Sequence, residues 1–208
     1  MELTVFGASG RTGRHIVDKA LADGHHVTAV LRRPAEQDPR VAVRLIPDLA
    51  DTAAVQSAIT RADAVLSAIG PRSRKYAPVA APATRHLLEA GVGRLVVISA
   101  APVDPPPADD SFLSRRIALP LIGLILRPVY DDLRAMEAEL ATSSSAWTAL
   151  RPPQLTDGPA TGRYRTRIGG AVPRGFRVSR ADLAAAMLEC LDRPETIRTA
   201  VGIAGPTR

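Results

Sequence analysis

The sequence predicts an α/β fold, a parallel sheet doubly wound by helices on both faces, within a single domain spanning residues 1–208. Three observations carry this. Short apolar runs rich in β-branched residues recur along the chain, with helical periodicity between them. Most of these runs are apolar on both faces, which requires helices above and below the sheet. The first run, residues 3–6, opens directly onto Gly7, Gly10 and Gly13, and a helical pattern of Ile16, Val17, Ala20 and Leu21 follows.

Strand, glycine turn and helix in that order make the opening of a dinucleotide-binding Rossmann fold. Gly7 lets the chain turn sharply off the strand. Gly10 lets backbone N–H groups approach a pyrophosphate, and Gly13 lets the helix pack closely. The helix N-terminus then offers unpaired N–H groups and partial positive charge to phosphate.

Composition agrees with one globular domain. Apolar residues make up 46% and charged residues 23% of 208, enough for a sizeable core. Aromatics are only 3%, so that core is built from Ala, Leu, Val and Ile. The lone Cys190 excludes an internal disulfide and a cysteine metal cluster, and its helical position reads as a buried structural thiol. With a strand already at residue 3, no leader segment is expected, and the apolar run 117–126 is too short to span a bilayer. The expectation is a soluble cytoplasmic protein, with no membrane partner, acting on a small molecule as a monomer or homodimer. The net charge of +6 points to an anionic partner, which a dinucleotide satisfies. No helix-turn-helix signature, aromatic array or long basic run supports nucleic acid.

The elements follow in order. The second strand, residues 26–31, ends in Arg32 and Arg33. The tip of this strand faces the adenosine ribose, where an acid suits a free 2′-hydroxyl and arginine suits a 2′-phosphate. NADP(H) is therefore expected over NAD(H). A third strand covers 41–46, and Asp48-Leu49 follows, either at the adenine edge or as a plain turn. Asp51 caps a helix over 52–59. The fourth strand, 64–69, includes Ala68 and Ile69 and ends at Gly70, whose backbone can pass beside ribose and phosphate. The basic loop 72–76 follows. A helix over 78–90 and a fifth strand over 94–99 come next.

Beyond a proline-rich loop at 102–107, the apolar segment 113–126 reads as a buried helix, a lid or a subunit contact. An amphipathic helix covers 130–140, with Leu133, Met136 and Leu140 on one face. A sixth strand at 147–150 leads into Arg151-Pro152-Pro153-Gln154, extended backbone at the carboxyl edge of the sheet. Short strand candidates follow at 164–168 and 176–178. Ser179 with Asp182 caps a last helix over 180–191, and a final strand covers 201–204. Small substrate-side elements are expected at about 101–127 and 155–180.

The strings GASGRTGRHIV, LRR, AIGPR and LVVIS, together with RPPQLTDGPATGRY and VSRADLAAAMLECL, resemble the atypical short-chain dehydrogenase/reductases with an NAD(P)H-binding Rossmann fold. That group includes biliverdin-IXβ reductase, also called flavin reductase, and NmrA-like redox-sensing regulators share the fold. The resemblance implies that Gly7, Ser9, Gly10, Arg11, Thr12 and Gly13 cradle the pyrophosphate. It places Arg32 at the 2′-phosphate, Gly70, Arg72 and Ser99 along the cofactor, and Pro153, Gln154 and Leu155 at the nicotinamide.

Departures from the family pattern bear on chemistry. Short-chain dehydrogenases use serine and tyrosine hydroxyls at the carbonyl, with a lysine lowering the tyrosine pKa. Here Ser99 is followed by Ala100-Ala101, and Tyr130 is followed four residues on by Arg134, which cannot relay a proton. Gln154 stands where the biliverdin reductase group has histidine, and it orients rather than protonates. Ser99, Tyr130 and Gln154 are the candidate catalytic residues. No histidine pair has metal-ligand spacing, so no metal is expected, and no nucleophile elbow is present. The implied reaction is NADPH-dependent hydride transfer to a flavin, quinone or tetrapyrrole. Its rivals are a non-catalytic NADP(H) sensor and a tailoring enzyme of specialised metabolism.

Overall fold

In the computed structural model, the described residues are 1–71, 78–103 and 126–206. The first half alternates β1 (Glu2–Phe6), α1 (Arg11–Ala22), β2 (His26–Leu31), β3 (Ala42–Leu45), α2 (Thr52–Ile59), β4 (Ala64–Ser67), α3 (Ala80–Glu89) and β5 (Arg94–Ile98). The second half holds α4 (Arg127–Thr142), β6 (Ala146–Arg151), β7 (Gln154–Thr156), β8 (Arg165–Ile168), β9 (Arg177–Ser179), α5 (Arg180–Glu189) and β10 (Thr199–Ala204).

Eight strands form one sheet in the order β3-β2-β1-β4-β5-β6-β10-β8. This is the doubly wound Rossmann order, with the chain reversing direction at β1 and β4. Val5 of β1 lies level with Ala29 of β2 and Leu66 of β4, all in parallel register.

Alternation along each strand separates two cores. Leu3, Val5, Val27, Ala29, Leu31, Leu66 and Val96 face α1 and α5. Phe6, Val30, Val65, Leu95 and Val97 face α2, α3 and α4. Successive side chains of a strand point to opposite faces, so the six central strands seed both layers at once.

Asp51 caps α2, its carboxylate accepting from Ala54 N at 3.0 Å. α3 is capped from a distance. Asp132, buried in α4, accepts from the backbone N–H groups of Val79, Ala80 and Ala81 at 2.8–2.9 Å. A carboxylate there satisfies three donors that the helix cannot satisfy itself, and it locks α4 against α3.

Several expectations are corrected. β3 is an edge strand and exposed throughout, not apolar on both faces. The fourth strand ends at Ser67, leaving Ala68 and Ile69 in the turn. The two short strand candidates belong to different sheets: β8 closes the main sheet antiparallel to β10, while β9 pairs in parallel with β7, which sequence periodicity did not reveal. β7 is only three residues long and is held by its partner rather than by its own pattern. Arg72, the rest of the loop 72–76, residues 104–107 and the apolar run 113–125 lie outside the described residues. Among the described residues, no helix is long and apolar enough to cross a membrane.

Candidate functional site

The carboxyl ends of β1, β2 and β4 meet around the glycine turn. Gly7 sits at φ +74°, in the left-handed region that glycine alone enters without strain. A side chain there would also strike the Ala68 backbone, with Cβ 2.9 Å from its carbonyl carbon. The turn and the end of β4 are thus packed backbone to backbone, bringing Ala68 and Ile69 beside Gly7. Gly10 N donates to Gly7 O at 2.9 Å. A Cβ on Gly13 would lie 2.1 Å from Gly7 O, so Gly13 lets the first turn of α1 close onto the turn itself.

The result is a bare helix end. Gly10 occupies the N-cap position in extended conformation with no capping side chain, and no acid stands in the first turn of α1. Ser9, Gly10 and Arg11 are exposed around it, and Thr12 is buried. Such an end favours an anion. Beside it, a Cβ on Gly70 would meet nothing within 4 Å among the described residues.

Arg32 and Arg33 are exposed immediately beyond β2, and no carboxylate among the described residues pairs with either. Asp48 is exposed, and its carboxylate accepts from Ala50 N at 3.0 Å, which is turn geometry. Leu49 packs its side chain toward the α2–α3 core.

The nicotinamide side is built differently. Ser99, just past β5, is 4% exposed. Its hydroxyl lies 2.5 Å from Glu137 Oε1 of α4, to which it donates. Arg151, at the end of β6, binds the same carboxylate through Nε at 3.0 Å and Nη2 at 2.5 Å. Serine, glutamate and arginine thus form one half-buried network joining β5, α4 and β6. Breaking a buried pair of this kind typically costs about 3–5 kcal/mol. Neither Glu137 nor Arg151 was singled out from sequence. The signal was present: Glu137 falls with Leu133, Met136 and Leu140 on one i, i+3, i+4, i+7 stripe, a carboxylate on an otherwise apolar face.

Tyr130 is buried with Leu133 and Met136. Burial pushes its phenol above the ordinary tyrosine range, and the nearby Arg134 charge only partly offsets this. That direction is opposite to what a tyrosinate relay requires. Arg134 instead pairs with Asp131 at 2.9 Å.

Pro153 is half-buried, and Leu155 packs onto the α1–α5 core. Gln154 is exposed at the start of β7, level with Arg177 of β9. Arg177 Nε donates to its Oε1 at 3.1 Å, which holds the amide oxygen and leaves the amide N–H groups to donate outward.

The loop after β7 is tied down by carboxylates. Ser179 caps α5 by accepting from Asp182 N at 2.9 Å, as expected. Asp182 does not complete the reciprocal half of a capping box. Its carboxylate instead accepts from Thr161 N, Thr161 Oγ1 and Gly162 N at 2.8–3.0 Å. The most distinctive sequence motif of the second half is therefore a clasp between a loop and a helix end.

Cys190 is buried, and desolvation pushes its thiol upward. Among the described residues no three His, Cys, Asp or Glu side chains group as metal ligands. A cavity of about 320 Å³ lies near Gln56, Ile59 and Arg94 at the amino-terminal edge of the sheet, away from the glycine turn.

A switch-point crevice with a bare helix end defines a dinucleotide-binding protein, and the chain belongs to the NAD(P)H-binding family, whose sequence profile matches residues 7–194. Over 94% of both chains it is 28% identical to YwnB of Bacillus subtilis, an uncharacterised protein. Its fold matches that of a candidate NADH-flavin reductase of Streptococcus pneumoniae, with a TM-score of 0.83, 22% identity, and coverage of 99% of this chain and 100% of that one. It also matches a short-chain dehydrogenase/reductase of Veillonella parvula in complex with NADP, at a TM-score of 0.76 and 20% identity over 99% and 94% of the two chains.

Proposed function

We propose that the protein is an NADPH-dependent reductase that delivers hydride to a flat, electron-poor small molecule of flavin, quinone or tetrapyrrole type. One observation carries this reading. Among the described residues the glycine-turn half of the crevice carries no helix cap and no first-turn acid, while the hydroxyls that would protonate an ordinary carbonyl are engaged or made weaker acids by burial. Ser99 spends its donor on Glu137, and Tyr130 is pushed away from ionisation. An acceptor that takes its proton from water needs neither group.

Bound NADPH supplies the hydride, and the chain's residues supply place and orientation. The amides of residues 11–13 and the Arg11 side chain bind the pyrophosphate, Gly10 N being committed to Gly7 O. Arg32, with Arg33 beside it, holds the 2′-phosphate. Gln154, steadied by Arg177, offers amide N–H groups at the nicotinamide edge. The Veillonella neighbour's bound NADP supports the choice of phosphate form, and the Streptococcus neighbour's description supports a flavin-type acceptor.

The test is NADPH oxidation followed by absorbance against FMN, a quinone and a biliverdin, with NADPH binding measured by calorimetry. Turnover of one acceptor class identifies the substrate. Tight binding without turnover on all three shifts the reading to a non-catalytic NADP(H) sensor, which the engaged Ser99 also suits. Arg32→Glu should weaken NADPH at least about tenfold more than NADH, because it removes a charge-assisted contact and adds repulsion. Equal losses for the two cofactors would remove the 2′-phosphate assignment.

A further inference from the structure

Asp157 stands one residue past β7, between two cations. One carboxylate oxygen pairs with Nη2 of Arg11, the first residue of α1. The other accepts from Nη1 of Arg180, the first residue of α5, at 2.7 Å. These two helices pack side by side on the same face of the sheet. A single carboxylate therefore ties the leading turns of two neighbouring helices, one of which is the bare end of the glycine turn.

The two partners are held unequally. The Arg180 side chain is 13% exposed, whereas that of Arg11 is 68% exposed and that of Asp157 59%. Arg180 is anchored, and Arg11 is free to turn. α1 itself contributes no acid and no cap to its first turn. The negative charge that Arg11 attracts is supplied from another part of the chain.

We infer that Asp157 is a stand-in for the cofactor's phosphate: it holds Arg11 before NAD(P)H binds and yields it to the phosphate on binding, remaining on Arg180. This rests on membership of the NAD(P)H-binding family and not on the reductase reading. The exchange is physically cheap. An exposed ion pair shifts an equilibrium by up to about fivefold, and a phosphate offers Arg11 shorter, charge-assisted and bidentate bonds. The competition has a second consequence. Asp157 follows β7 directly, so the segment beside Gln154 loses one of its tethers when cofactor binds. By linkage, whatever loosens that segment favours cofactor and the reverse. Asp157 thereby sets cofactor affinity.

The experiment is calorimetric binding of NADPH and of inorganic pyrophosphate to the intact chain, to Asp157→Asn, to Arg11→Gln and to the double variant. Asp157→Asn should tighten NADPH about three- to fivefold, Arg11→Gln should weaken it, and Asp157→Asn should give no tightening in the Arg11→Gln background. Unchanged or weaker binding by Asp157→Asn overturns the inference, as does tightening that persists without Arg11. In the unaltered chain, hydrogen exchange of the amides of Asp157, Gly158 and Ala160 should rise several-fold on adding NADPH. Unchanged or slower exchange there overturns the inference even where the Asn variant does not fold. Absence of any NADPH or NADH binding by the unaltered chain removes the cofactor reading as well, whereas binding without turnover removes only the reductase reading.

Discussion

α1 and α5 lie side by side with their N-termini toward the same edge, yet one end is open and the other is sealed. The α1 end is shaped by backbone: three glycines, no cap and no first-turn acid. The α5 end is filled by side chains. Ser179 caps it, and Asp182 in its first turn holds Thr161 and Gly162 against it. Both ends carry the same partial charge. What differs is whether the chain has already spent that charge on itself. The open end can receive a ligand, and the sealed end turns the same electrostatics into loop anchoring.

The largest effect is expected from filling the open side. Gly13→Ala places a methyl 2.1 Å from the Gly7 carbonyl. It should cost about 3 kcal/mol or more and abolish cofactor binding, read by thermal unfolding and calorimetry. A variant that folds and binds normally would show that the turn is more plastic than its contacts imply.

Opening the sealed side comes next. Asp182→Ala takes the carboxylate from three donors of the exposed residues Thr161 and Gly162 and should cost about 2 kcal/mol, while the 158–163 loop becomes sensitive to proteolysis. NADPH binding should change by less than about threefold, since no phosphate-loop residue is touched. Ser179→Ala removes only the cap and should cost about 1 kcal/mol. If either variant instead abolished NADPH binding, the division of labour between the two helix ends would be wrong.

The smallest effect is alkaline. Cys190 and Tyr164 both have their ionisation pushed upward, chiefly by burial and, for Tyr164, also by its bond to Glu189. The folded state then keeps protons that the unfolded chain releases. Stability is fully present below the unfolded values, about 8.5 for a thiol and about 10 for a phenol, and declines as pH rises through them. Denaturant midpoints measured from neutral to alkaline pH should fall, and Tyr164→Phe should flatten the upper part of the curve. A midpoint that holds steady would contradict the burial of both groups.

The open side was the more legible from sequence. Gly7, Gly10 and Gly13, the β2 tip at Arg32 and the Asp51 cap are local patterns, and β1, α1, β2 and α2 form within a residue or two of their expected bounds. The sealed side was less so. β7 has no periodicity of its own, and Ser99, a candidate catalytic hydroxyl by its place after β5, is bonded to Glu137, 38 residues on. Asp182 read as half of a capping box because the spacing fits. Its real partners, Thr161 and Gly162, lie across a loop closure that no local pattern encodes.

Sequence alone determined the strand–glycine–helix opening, the alternation that splits two cores, and the cationic tip of β2. These depend on backbone geometry and on side-chain periods of two and 3.6, which are written in consecutive residues. Tertiary structure decided which carboxylate meets which cation: Glu137 with Arg151 and Ser99, Asp132 with the start of α3, and Asp157 with Arg11 and Arg180. Charge pairing acts over a few ångströms in space, so partners tens of residues apart are chosen by the fold and not by their spacing in the chain.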